Sequence, residues 1–171
     1  MAQSVDASKN LASDPRNREV VLAAGRDPQV GNLETPINSS ALTKWFIGNL
    51  PAYRPGLTPF RRGLEIGMAH GYLIYGPFAT LGPLRNAANA SLAGLLGSIG
   101  LVVILTACLS LYANANPGKP IANPAAVPPD AFNSKEGWNN FASAFLIGGI
   151  GGAVVAFFLG SNLGIISGLA G

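Results

Sequence analysis

The chain has 171 residues, 49% of them hydrophobic and only 11% charged, with 11 Lys and Arg against 8 Asp and Glu for a net charge of +3. An ordinary soluble domain carries about 25% charged residues, so this composition points to a membrane protein. Most of the basic residues precede the first long apolar run and alternate with Asp6, Asp14, Glu19, Asp27 and Glu34, without the dense basic stripe that nucleic-acid binding needs.

The single Cys, Cys108, lies within an apolar run and can form no intrachain disulfide; with one His in the chain, no zinc spacing exists either. Residues 1–40 contain no apolar core of a cleavable signal, so the first apolar run is expected to insert by itself. No paired acid and base, activated nucleophile or phosphate loop is present, and the chain is not expected to be an enzyme.

Taken in order, residues 1 to about 37 are polar and rich in turn formers (Asp14-Pro15, Asp27-Pro28, Gly31-Asn32, Thr35-Pro36), which predicts irregular surface chain able to order on a partner. The segment 39–50, SSALTKWFIGNL, combines a serine cap with Leu42, Trp45, Phe46, Ile47 and Leu50 at near-helical spacing, predicting an interfacial helix whose Trp sits in the aromatic belt. Pro51, Pro55 and Pro59 then exclude a helix interior.

The first long helix is predicted over residues 60–81, FRRGLEIGMAHGYLIYGPFATL, with Pro77 kinking its far end. At about 1.5 Å per residue it can cross a hydrocarbon core of about 30 Å. It carries Glu65 and His70, and an acid and an imidazole inside a membrane segment are functional candidates. Five residues of helix turn them about 140° apart with a stagger of about 7.5 Å, which suggests two separate one-ligand sites.

A neutral imidazole is a good axial ligand for magnesium or iron in a tetrapyrrole, and Gly67, Ala69 and Gly71 would leave room for a ring beside His70. Without family context, a hydrogen bond inside a helix bundle is the simpler role for His70. A salt bridge to Arg61 or Arg62 is the simpler role for Glu65, although a hard carboxylate oxygen also suits magnesium.

After a short polar hairpin with Arg85, a second helix is predicted over 90–113, without any charge. Residues 114–140 read as an exposed proline-rich loop. A third helix over 140–162 places Ala144, Gly148, Gly152, Ala156 and Gly160 on one face at every fourth position, a ladder that lets another helix approach closely. The expected fold is all-α: a polytopic membrane protein with three transmembrane helices (residues 60–171) and an extended amino-terminal segment (residues 1–59). Arg61 and Arg62 put the amino-terminal side in the cytoplasm and the tail after residue 162 across the membrane.

Several strings are specific enough to carry a resemblance: Asn49-Leu50-Pro51-Ala52-Tyr53-Arg54, Arg62-Gly63-Leu64-Glu65, Gly67-Met68-Ala69-His70-Gly71-Tyr72, Leu81-Gly82-Pro83-Leu84-Arg85, and Ser134-Lys135-Glu136-Gly137-Trp138. In this order, and with the glycine-rich third helix, they resemble the photosystem I reaction-centre subunit XI (PsaL) family of cyanobacterial type from about residue 35 onward.

The resemblance implies a peripheral subunit in the thylakoid membrane that binds antenna chlorophyll a and β-carotene, with Glu65 and His70 as chlorophyll magnesium ligands. It also implies contact with core reaction-centre subunits, small membrane subunits, lipid and subunit XI copies of neighbouring monomers, whose association it mediates. In trimer-forming relatives an Asp helps bind calcium where this chain has Asn86, and an amide brings no charge to such a site, which weighs against calcium. The oligomer order stays open among dimer, trimer and tetramer. The rival readings are a small transporter or proton-relay subunit using Glu65 and His70, and a haem anchor, for which one His per chain is too few unless two chains share the haem.

Overall fold

The computed structural model describes residues 21–24, 27, 29, 31–120 and 123–162. Most of the expected amino-terminal surface chain and the tail beyond residue 162 lie outside these described residues. The chain forms two compact units: Met1–Pro55 with Pro120–Pro129, and Gly56–Lys119 with Asp130–Gly171.

The first unit departs from the all-α expectation. Strands β1 (Leu22–Ala23) and β2 (Leu33–Glu34) pair antiparallel, Leu22 opposite Glu34 and Ala23 opposite Leu33. Gly31, at φ 68, supplies the left-handed backbone of the turn between them. Helix α1 (Ala41–Asn49) begins where the serine signal predicts: Ser40 Oγ accepts from Thr43 N at 3.1 Å. The loop expected to be exposed is tied down in part, since Asn123 Oδ1 accepts from the backbone N–H groups of Ala125 and Ala126 while its Nδ2 donates to Tyr53 Oη at 3.0 Å.

The second unit is built from α2 (Pro59–Leu81), α3 (Ala90–Asn114) and α4 (Lys135–Asn162), with a 3₁₀ turn at Asp130–Asn133. Thr58 caps α2 and Pro59 occupies its first turn, where a missing N–H costs nothing. Pro77 lies inside that helix. Past the end of α3, Asn116 takes a φ of 53, a left-handed stop that asparagine tolerates, and Pro117 prevents continuation.

Helix α4 starts five residues before its predicted bound of 140, because Ser134 Oγ accepts from Gly137 N at 3.1 Å and so caps a turn through the polar Lys135-Glu136 pair. Lys119 Nζ donates to Asp130 Oδ1 at 2.6 Å, and this hydrogen bond and charge hold the Asp130 carboxyl below its usual range. Both side chains are exposed, so the pair adds little stability.

Among the described residues, α3 and α4 are long and apolar enough to cross a membrane. Two helices meet this criterion where three spans are expected: α2 has the length, 23 residues, but Arg61, Arg62, Glu65 and His70 make it less apolar than its neighbours. Along α3 the buried residues are Gly94, Ser98, Val102 and Ala113, while Leu92, Leu96, Val103, Ile104 and Leu111 are exposed. A soluble core helix would bury that apolar surface, so α3 is suited to an apolar surrounding.

Close approach over glycine holds the bundle. A Cβ on Gly63 would meet the Phe141 carbonyl, one on Gly67 would lie 2.9 Å from Gly149 N, and one on Gly71 would lie 2.9 Å from Ala153 N. Contacts advance together along both helices, so α2 and α4 run parallel. Gly94 faces Ala79 and Gly97 faces Phe78, so α3 runs antiparallel to α2. Ala144, Gly148, Gly152, Ala156 and Gly160 are all buried, and a Cβ on Gly148 or Gly152 would lie 2.9 Å from a backbone nitrogen of α2, that of Met68 or Tyr72. Small residues on both partners give the dispersion contacts that lipid cannot replace.

Tyr75 is 3% exposed, its ring edge-on to Phe157, and among the described residues its hydroxyl has no hydrogen-bond partner. An unmet hydroxyl costs about 1 to 3 kcal/mol. Tyr75→Phe should therefore raise the stability of the subunit by about 1 kcal/mol in a thermal melt. A lowered midpoint would show that a buried water satisfies the group.

Candidate functional site

The site is built from α2, and its two polar side chains are treated differently by the fold. His70 is exposed on the helix surface, and its Nδ1 lies 2.8 Å from the Ile66 carbonyl oxygen. A carbonyl can only accept, so Nδ1 carries the proton and the Nε2 lone pair is left available. The ring is also held edge-on to Phe145 of α4, centroids 5.6 Å apart. Phe145 is itself buried and stacked on Phe141. The imidazole is thus fixed in tautomer and orientation, the arrangement that a hydrogen-bonded metal ligand needs.

Glu65 is half-buried one turn after Arg62, which is 4% exposed. With Met68, Ala69, Tyr72 and Leu73 it follows the spacing i, i+3, i+4, i+7, i+8 that aligns residues along one flank of a helix. The last four of these line an apolar groove of about 680 Å³, whose other wall is formed by Ile147, Gly151 and Val155 of α4. The structure does not bring Glu65 and His70 to one point: His70 packs on Phe145, and Glu65 heads the stripe that enters the groove.

The room expected beside His70 from Gly67 and Gly71 is corrected. Both glycines are buried, and the space a Cβ would take is filled by α4 backbone. Sequence reading found the ladder on the third helix but missed its partner, Gly63, Gly67 and Gly71 at every fourth residue of α2; the same periodicity would have revealed it. Asn86 is exposed in the turn between α2 and α3. Among the described residues no three His, Cys, Asp or Glu side chains gather as a metal site.

Comparison with known proteins decides the family. The photosystem I reaction centre subunit XI profile matches residues 20–165. The chain belongs to the photosystem I reaction centre subunit XI family. A Trichormus variabilis protein described as photosystem I reaction center subunit XI is 77% identical over 172 residues, covering 100% of both chains. The subunit XI of Nostoc punctiforme is 74% identical over 173 residues, again covering both chains completely. That of Synechococcus elongatus is 58% identical over 145 residues, 83% of this chain and 87% of its own. As a member of the subunit XI family, the chain is a membrane subunit of photosystem I and not an enzyme.

Proposed function

We propose that this subunit XI-family chain crosses the thylakoid membrane three times, holds antenna chlorophyll a on His70 and on Glu65, and joins photosystem I monomers. The observation that carries the pigment reading is the His70 Nδ1 contact to Ile66 O at 2.8 Å, which uses one ring nitrogen and leaves Nε2 of this exposed residue for a ligand. Neutral imidazole can ligate magnesium without burying net charge in lipid, and carboxylate oxygen is a hard ligand suited to the same ion. Bound chlorophyll would supply light absorption and excitation transfer; the chain's residues set its position and orientation.

The three-span reading rests on α2 being 23 residues long, parallel to α4 and antiparallel to α3. Arg61 and Arg62 favour an amino terminus on the cytoplasmic or stromal side, with the carboxyl terminus lumenal. The exposed apolar faces of α3 and α4 fit contact with core subunits, small membrane subunits, β-carotene and lipid. Asn86 brings an amide oxygen without charge, so calcium would bind weakly there, and association of neighbouring copies proceeds without it.

His70→Leu in the intact photosystem should remove one chlorophyll and leave that on Glu65 in place, read by pigment stoichiometry and by high-resolution density. Unchanged pigment, with another protein group on the magnesium, would overturn the assignment. A complex whose subunit XI binds no pigment in either parent or variant would favour the proton-relay alternative.

A further inference from the structure

Between α3 and α4 the chain leaves the second unit after Lys119 and rejoins it at Asp130, whose side chains meet at 2.6 Å, while Pro120–Pro129 belong to the first unit together with the amino-terminal segment. Asn123 organises the stretch that follows it. Its Oδ1 accepts from Ala125 N at 2.9 Å and from Ala126 N at 2.7 Å, and its own N–H donates to Ala126 O at 3.2 Å. Backbone N–H groups can only donate, so the amide oxygen must face them, and Nδ2 is turned onto Tyr53 Oη at 3.0 Å, 70 residues away in the chain. These local hydrogen bonds hold the donor in place before it meets the tyrosine, so little side-chain freedom is lost in that contact. Pro124, Pro128 and Pro129 stiffen the same stretch, and Pro128 is buried.

Tyr53 sits in the turn that ends α1. Leu50 closes that helix by donating its N–H to Ile47 O at 3.1 Å, and its carbonyl accepts from Tyr53 N at 2.9 Å and from Arg54 N at 2.8 Å. Helix α1 has 9 residues and buries none of them, too short to be held by its backbone hydrogen bonds alone. We propose that residues 123–129 are a strap on the first unit: the Asn123–Tyr53 contact joins the loop to the turn after α1, and the two open and close as one cooperative element. Displacement of the loop is thereby transmitted to α1 and to the exposed Leu42, Trp45 and Phe46 that it carries.

The test is hydrogen exchange on intact photosystem I, read over residues 47–54 and over residues 123–131 in the parent and in Asn123→Ala, Tyr53→Phe and Lys119→Gln. Asn123→Ala removes the local bonds and the donor together, so it should speed exchange in both segments by about fivefold or more. Tyr53→Phe keeps the ring and the Asn123 turn and removes only the acceptor, and it should speed both segments by about twofold to fivefold. Lys119→Gln breaks an exposed pair and should change either segment by less than about twofold. Exchange unchanged in the first two variants, or faster only over 123–131 in Asn123→Ala or only over 47–54 in Tyr53→Phe, would overturn the strap. A larger effect over 47–54 from Lys119→Gln than from Asn123→Ala would put the hold in the ion pair and overturn the role given to Asn123.

Discussion

Gly71→Leu should release α2 from α4 and strip the subunit from the photosystem. A Cβ at this position would lie 2.7 Å from the Gly149 carbonyl carbon and 2.9 Å from Ala153 N, and these are backbone atoms of a helix, unable to rotate away. Ordinary overpacking costs about 1 to 3 kcal/mol because side chains share the strain. Here the helices themselves must separate, and the lost contact extends to Gly67 above and to Tyr75 below. An effect of about 3 kcal/mol or more is expected, since lipid gives apolar side chains no reason to re-form the interface.

Gly152→Leu attacks the same interface from the other side and should behave alike. Gly100→Leu is the control: a Cβ there meets nothing within 4 Å, and the change should stay within about 0.5 kcal/mol. Native electrophoresis of detergent-solubilised complexes reads the outcome. Equal retention of the Gly71 and Gly100 variants would refute interlocking as the basis of the fold.

Trp138→Ala is expected to be the next most damaging change. Trp138 anchors the start of α4: its Nε1 donates to Phe132 O at 2.9 Å, its ring lies 4.6 Å from that of Phe132 and 5.0 Å edge-on from that of Tyr112, and Phe141 closes the group at 6.0 Å. Truncation would leave a cavity and a carbonyl without that donor, a loss of about 3 to 5 kcal/mol. Trp138→Phe keeps much of the packing and removes the hydrogen bond, so it should cost about 1 to 3 kcal/mol. Hydrogen exchange over residues 130–141 is the direct readout, with faster exchange expected for Ala than for Phe. Exchange unchanged in both would mean that the first turns of α4 are held from elsewhere.

From sequence, Trp138 reads as an ordinary belt residue, because nothing local reveals that the 3₁₀ turn before α4 folds Phe132 beneath it. The same limit applies to Gly67 and Gly71. Their spacing is visible in the chain, but whether the vacancy serves a pigment or a helix depends on which element lies opposite. His70 illustrates the converse: its chemistry is legible from residue type, while its tautomer follows from one contact to Ile66 O that only coordinates reveal.

By itself the sequence determined the membrane character, the serine cap before α1, three of the four predicted helix starts to within two residues, and the family. All of these are local properties, set by composition, by hydrogen bonds within a turn and by strings of neighbouring residues. Only the tertiary structure decided that α2 lies parallel to α4 over two matched glycine ladders, that α4 begins at Lys135, and that an apolar groove opens between these two helices. In lipid no hydrophobic gradient marks the inward face of a helix, so its partner is chosen by the fit of two surfaces distant in the chain, and that fit has no local signature.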